Sequence, residues 1–399
     1  MVSCFHYHLA VDTIPTSTLK KMQANAVRKI KKWLGLTRGA TTAIIHHPDV
    51  IDIPAISELH TKAKLTFLSA ISVSQDPMIT ELEALLSDDS YLRSQGISST
   101  AVLLLQKARN SVSSAGKRQM TNQCRKVYRE HRVETWNNKL NQLTVQRKFP
   151  AITELEAKNK VWGRIQAGLP AGQLSFLVRA GSDTLPTPLN LKRWRMRVDP
   201  RCPLCNHHHP TVQHILSACP TALQQGRYTW RHDSALRALV DGIKSGLPEA
   251  RVLADLPGLR AEENPPSTIP NEILVTTAHP DIVVITNREI TLVELTIPYN
   301  SPECLANAKH RKETKTNYQL ALSDLDSRGY SASLITIEIG ALGHWLPPTR
   351  ASLQQLLPGV PKSTVTRLLD QTSATTIASS HIIFNARLDN VWNSSRPIL

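Results

Sequence analysis

Apolar residues recur at helical spacing over 18–34, where Leu19, Met22, Ala26, Ile30 and Trp33 form one stripe. Lys20, Lys21, Arg28, Lys29, Lys31 and Lys32 fill the other positions, and Gly35 is a natural stop. The pattern stays helical over 55–150, anchored by Leu82, Leu85, Leu86 and the run from Val102 to Leu105, and continues to 200. Asp233 is a good N-cap for a helix over 231–247 that carries Leu236, Leu239, Val240 and Ile243. A Pro- and Gly-rich stretch at 256–270 reads as a loop. Strands are then predicted at 272–277, 281–286 and 289–297, followed by a helix at 302–327 and a strand at 332–339. From 231 the order is α-β-β-β-α-β, an α/β core around a mixed sheet. The fold class is therefore expected to be α+β: a helical N-terminal half, a small cysteine-rich knuckle, the mixed-sheet core, and a helical segment at 346–399.

The 399 residues suffice for about two or three domains. No apolar run reaches the roughly 18 residues of a membrane span, and the N-terminus lacks the pattern of a secretory signal. An intracellular protein, nuclear or cytoplasmic, is expected, with no membrane partner. Lys and Arg total 47 against 32 Asp and Glu, a formal net charge of +15 that suits a polyanionic partner. The cations cluster at 20–32, again at Lys117, Arg118, Arg125, Lys126, Arg129, Arg132, Lys139, Arg147 and Lys148, and at Lys192, Arg193, Arg195 and Arg197. In the last group Trp194 interleaves with the charges, which suits strand contact by charge and stacking.

Three of the six cysteines fall in the pattern Cys202-x2-Cys205-x8-His214-x4-Cys219. A Cys-x2-Cys turn places two thiolates on one tetrahedral ion, and a His and a Cys about one helical turn apart close the site. A filled Cys3His set leaves no open position, so the zinc would be structural. His207, His208 and His209 are rival ligands.

Asp281 and Glu294 each interrupt a run of strand formers. A carboxylate on a buried strand is costly unless a cation shares its site, and two of them on adjacent strands suit a divalent ion, Mg2+ or Mn2+. A lysine two residues beyond the second acid would share its strand face, but Thr296 stands there. On a helical wheel over 302–327, Lys315 falls within the stripe of Leu305, Ala308, Tyr318, Leu322 and Leu325, with Lys312 nearer its edge. Lys315 is thus the expected cation for the acids, Tyr318 packing beside it and Lys312 the rival.

These residues together resemble the C-terminal part of the reverse transcriptase protein of non-LTR retrotransposons that carry a restriction-like endonuclease. The cysteine pattern looks like that family's zinc knuckle, Arg231-His232-Asp233 like the turn after it, and Pro280-Asp281 with Glu294 twelve residues on like its PD-(D/E)XK nuclease core. Lys315 and Tyr318 are similar to its displaced lysine and neighbouring tyrosine. The resemblance is good over about 150–345, and Val27 to Leu36 looks like a polymerase thumb. It implies five parts: a thumb remnant at 1–55, a basic linker at 56–200, a knuckle at 201–220, an endonuclease domain at 225–345 and an extension at 346–399. It also implies a module that nicks double-stranded DNA and contacts element RNA. Asp281 and Glu294 would bind Mg2+, Lys315 would orient the attacking water or stabilise the charge on the phosphorane, and Arg231 and His232 would contact phosphate or help position the strand, a packed His232 being the alternative, with Asp233 capping its helix. No Ala/Tyr-x-Asp-Asp polymerase signature occurs in the chain, so no reverse transcriptase activity is implied.

Overall fold

The computed structural model describes residues 8–79, 81, 88–111, 116–143 and 149–393. Leu82, Leu85, Leu86, Arg147 and Lys148 lie outside the described residues. The chain divides into two compact units, Met1–Arg147 and Lys148–Leu399. Among the described residues no helix is long and apolar enough to cross a membrane.

The first unit is helical, with helices Thr16–Trp33, Ile56–Ile71, Ser99–Asn110 and Lys117–Asn141. Leu65, Leu68, Leu104, Leu105, Met120, Cys124 and Val127 form its core. The basic run on Lys117–Asn141 is not a uniform outer face. Arg132 is buried and donates to Asp52 at 2.7 Å and to the His46 carbonyl at 2.7 Å, and its Nε lies 3.2 Å from Glu58. Arg129 pairs with the buried Asp49, and the Lys139 ammonium sits 3.9 Å above the Trp136 ring. Arg129 and Arg132 thus compensate acids of the 47–58 segment, because a carboxylate taken from water needs a partner. Lys117, Arg118, Arg125 and Lys126 remain exposed.

The second unit carries a four-stranded sheet, order β1-β4-β5-β6, with β1 at Arg251–Ala254, β4 at Ile282–Thr286, β5 at Glu289–Thr296 and β6 at Ser331–Glu338. A separate hairpin pairs β2 (Glu262–Glu263) with β3 (Pro266–Ser267). β4 pairs antiparallel with β1 on one side and β5 on the other, whereas β5 and β6 run parallel. The sheet is mixed and the class α+β, as the periodicity implied.

Three elements differ from the sequence reading. Residues 272–277 are not a strand. The Ile273 and Leu274 amides bond back to the Pro270 carbonyl at 2.9 and 3.0 Å, so that segment turns, and its apolar side chains enter the core from the turn. The first strand is Arg251–Ala254, whose Val252 pairs with Val284. The helix expected to start at Asp233 spans Arg227–Gly246, entered through Gly226 at φ 72, which leaves Asp233 inside it. The 302–327 helix is two helices, Pro302–Glu313 and Thr316–Ser327. The Thr314 hydroxyl bonds back to the His310 carbonyl at 2.8 Å, and Lys315 is extended at the N-cap of the second helix. A threonine bonded this way bends a helix, and the cations Arg311 and Lys312 favour a helix C-terminus at this point.

The final helix, Lys362–Asn385, packs lengthwise on Arg227–Gly246. Gly242 makes the close approach possible: a Cβ there would lie 2.0 Å from Leu368 Cδ1 and 2.9 Å from its Cγ. Alanine would gain about 1 kcal/mol of helix propensity but overpack a buried contact at a cost of about 1–3 kcal/mol. Gly242→Ala is therefore expected to lower the urea midpoint at unchanged slope. A midpoint equal to or above wild type would refute the packing argument.

Candidate functional site

The ligand atoms of Cys202, Cys205, His214 and Cys219 all lie within 4.8 Å of one another. Sulfurs on one tetrahedral zinc ion are about 3.8 Å apart, so a small contraction around the ion completes the set. Local backbone explains the convergence. The chain turns tightly after Cys202, with Asn206 at φ 61 and the Cys202 amide bonded to the His207 carbonyl at 2.9 Å. His214 opens a π-helix, His214–Ala218, and Cys219 caps the short helix Pro220–Gln224. The wide π turn brings residues five apart closer to one face than an α turn would. His207 stacks on His214, centroids 4.6 Å apart, while His208 and His209 are exposed. The Cys202 thiol is pulled down to about 3, first by its hydrogen bond with Cys219. The same contact pushes Cys219 up. The lowered Cys202 pKa favours the thiolate, the form that ligates metal, and the cluster is compatible with a structural zinc ion.

Arg231 and His232 connect this knuckle to the sheet. Arg231 is fully buried and does not face solvent phosphate as expected. Its guanidinium donates to the Leu216 carbonyl of the π-helix at 2.8 Å, to Ser380 Oγ at 3.1 Å and to the Ile297 carbonyl at 3.4 Å. Burial pulls its pKa down to about 10, so it stays charged at neutral pH. His232 turns the other way: Nε2 lies 3.3 Å from Asp281 Oδ2, and Nδ1 lies 3.2 Å from Asp233 Oδ1. Burial opposes its charge, but the hydrogen bonds to Asp233 and Asp281 prevail and push it up to about 10. Asp233 therefore fixes the imidazolium and is no cap.

Asp281 immediately precedes β4, and Glu294 is fully buried in β5. Ile282 pairs with Val293, so the next step of the antiparallel register sets Asp281 opposite Glu294. Asp281 Oδ2 accepts the Leu295 amide at 2.8 Å. Lys312 donates to Glu294 Oε2 and lies 4.0 Å from Asp281 Oδ2. The Tyr318 hydroxyl reaches Glu294 Oε1 and also the His279 carbonyl at 2.9 Å. Burial opposes ionisation of Asp281, but the His232 hydrogen bond and the charges of His232 and Lys312 hold it below the usual carboxylate range. Glu294 is held above its usual value by burial and by Asp281. Two adjacent carboxylates are thus pushed apart in acidity, a common property of functional acids.

The structure places Lys312, not Lys315, at the acids. Lys315 is exposed, its ammonium 4.9 Å from the Tyr318 ring centroid. The wheel that favoured Lys315 assumed an unbroken helix. The break at Thr314 resets the phase, so Lys312 points inward from the first helix while Tyr318 does so from the second. Glu338 is a buried acid that the sequence reading missed. It stands beside Thr296 in the β5–β6 register and accepts the Thr349 hydroxyl at 2.9 Å. It falls inside the strand expected over 332–339, whose apolar run hides it.

Beside the acids, Thr296 lines a cleft of about 630 Å³ together with Ser217 of the knuckle, Arg231, Asn307, His310 and Arg311. Of the 192–197 cations, Lys192 and Arg195 are exposed, Arg197 is half-buried, and Arg193 bonds Asn190 Oδ1 at 3.1 Å and lies 3.5 Å from Asp183.

Fold and site define an α+β protein in which a Cys3His knuckle is braced against a mixed sheet that carries a paired-acid cluster. The family described as zinc-binding in reverse transcriptase matches residues 134–225. That similarity and the convergent Cys3His site fit a protein related to retrotransposon reverse transcriptases. No curated protein matches the chain.

Proposed function

We propose that this chain is a retrotransposon-derived, metal-dependent endonuclease module that nicks double-stranded DNA. The observation that carries the reading is Asp281 opposite Glu294 with Lys312 and His232 converging on them. The donor set is of hard oxygens, which suits Mg2+ or Mn2+ bound through one or two carboxylates with several waters retained. When bound, such an ion lowers the pKa of a water and neutralises charge developing on the phosphate. The chain's own residues do the rest. Lys312 moves from Glu294 to the attacking water or the phosphate oxygens. His232 holds Asp281 ionised and oriented, and Tyr318 fixes Glu294. The knuckle sets the position of His232 through Arg231. Exposed cations at 20–32, 117–126 and 192–197 hold DNA, and element RNA in the same manner, through phosphate contacts whose affinity falls steeply with salt.

A second reading has one observation in its favour: both Glu294 oxygens already have protein partners, Lys312 and Tyr318. A cluster satisfied in this way would suit a nucleic-acid-binding protein that has lost cutting. Supercoiled plasmid separates the two. The wild type with Mg2+ or Mn2+ should yield open circles, and Asp281→Ala should reduce nicking to background while leaving DNA binding and its salt dependence intact. A wild type that binds plasmid but never nicks it leaves the second reading standing.

A further inference from the structure

The Met1–Arg147 unit contains a cleft of about 550 Å³ that none of the functions above uses. Three helix beginnings meet there. Thr16 opens Thr16–Trp33, Ser57 lies in the first turn of Ile56–Ile71, and Ser98 caps Ser99–Asn110. Each helix is long enough for its first-turn amides to carry the positive end of a macrodipole. Thr16–Trp33 and Ser99–Asn110 have no acid in their first turns, and Pro15 provides no side-chain cap. At the third helix the Glu58 carboxylate accepts the Ala55 amide, so that end contributes mainly the Ser57 and Thr61 hydroxyls. Among the described residues none that lines the cleft is acidic.

An independent observation lies in the wall. His60 lines the cleft, is 6 % exposed, and its Nε2 has no hydrogen-bond partner. A buried nitrogen without a partner costs about 1–3 kcal/mol unless something satisfies it. Lys64, one turn further along the same helix and also buried, donates to the Asp12 carbonyl at 3.2 Å, and the Asp12 charge offsets part of its positive potential. Burial and Lys64 both lower the His60 pKa, and an anion beside the imidazole would oppose both effects. Leu19 and Ile97 add apolar wall beside the polar end.

We infer that this cleft binds a phosphate group, the helix amides and the Ser98, Ser99 and Thr61 side chains cradling its oxygens while His60 Nε2 donates to it. Helix amides with hydroxyls and an imidazole are phosphate-binding chemistry, and the apolar wall accepts the sugar or base of a nucleotide. The inference is independent of the nuclease reading, since it concerns other residues and its test contains no added divalent cation.

The test is hydrogen–deuterium exchange of the full chain, followed by peptide mass spectrometry, with inorganic phosphate or with oligothymidylate. At ten times its dissociation constant the probe should slow opening-limited exchange about tenfold. The slowing should be confined to peptides covering 14–20, 56–61 and 97–102. Ser99→Glu places a carboxylate at a helix N-terminus, which the helix tolerates well, and should abolish the protection. Gln119→Glu makes the same charge change at an exposed position of Lys117–Asn141 and should preserve it. Protection by inorganic phosphate alone identifies a free phosphate ligand. Protection by oligothymidylate at lower concentration identifies a strand. Absence of protection with both probes, equal protection in Ser99→Glu, or equal loss in Gln119→Glu overturns the site.

Discussion

Lys312→Ala is expected to lower the nicking rate by about 10²–10³-fold, the usual consequence of deleting one preorganised electrostatic group. Lys315→Ala should stay close to wild type, because the exposed Lys315 ammonium makes a cation–π contact with Tyr318 worth about 0.5–1 kcal/mol and touches neither acid. The pH profile gives a second readout. Glu294 already has a raised pKa from burial and from Asp281, and Lys312 opposes that rise. Nicking that requires the Glu294 carboxylate falls as pH drops through this raised value. Removing Lys312 raises it further, so the acid limb of Lys312→Ala should move to higher pH. Lys312→Arg, which keeps the charge, should hold the limb nearer the wild-type position. If Lys315→Ala loses activity and Lys312→Ala does not, the assignment made from the geometry is wrong.

Removing zinc is expected to have the second large effect. Structural zinc contributes about 10–16 kcal/mol in small zinc-binding peptides. Loss of only about 4 kcal/mol in a unit of this size lowers Tm by roughly 8–16 °C. A strong chelator, or Cys202→Ser, should therefore lower the melting temperature of the Lys148–Leu399 unit by about 10 °C or more. The damage should also spread. Arg231 holds the π-helix through the Leu216 carbonyl, and the adjacent His232 holds Asp281. Zinc loss should thus weaken nicking before global unfolding, with amides near 227–233 exchanging faster. An unchanged Tm after verified zinc removal would show that Arg231, the Tyr228 hydroxyl that donates to the Ile215 carbonyl at 2.9 Å, and the neighbouring helices suffice to hold the knuckle.

Much of the site was legible in the chain because its chemistry is written locally. Cys202, Cys205, His214 and Cys219 lie within eighteen consecutive residues, and metal-ligand spacing depends on short-range turns. Asp281 and Glu294 stood out because each breaks a run of strand formers, and the short connection between their strands, Asn287-Arg288, fixes an antiparallel register that sets them opposite each other. Arg231-His232-Asp233 was visible as a motif, but the roles within it were not. A helix wheel shows that adjacent residues point differently, yet it does not show that a knuckle carbonyl waits for Arg231 and an acid for His232.

Other features escaped for related reasons. Ile273 and Leu274 have strand propensity, but the turn at Pro270 and pairing of Val252 with Val284 overrode it. The wheel over 302–327 was right about an inward lysine and wrong about which one, since one back-bonded threonine changed the phase. By charge alone Arg129 and Arg132 suit phosphate, whereas Asp49, Asp52 and Glu58 lie beside them in the fold. Periodicity, metal-ligand spacing and acids misplaced in apolar runs are properties of neighbours along the chain, and they sufficed for the α+β class, the knuckle and the acid pair. The partner of each charge was settled by contacts between residues far apart in sequence. A buried charge takes whichever opposite charge or carbonyl the packed backbone brings within hydrogen-bonding reach.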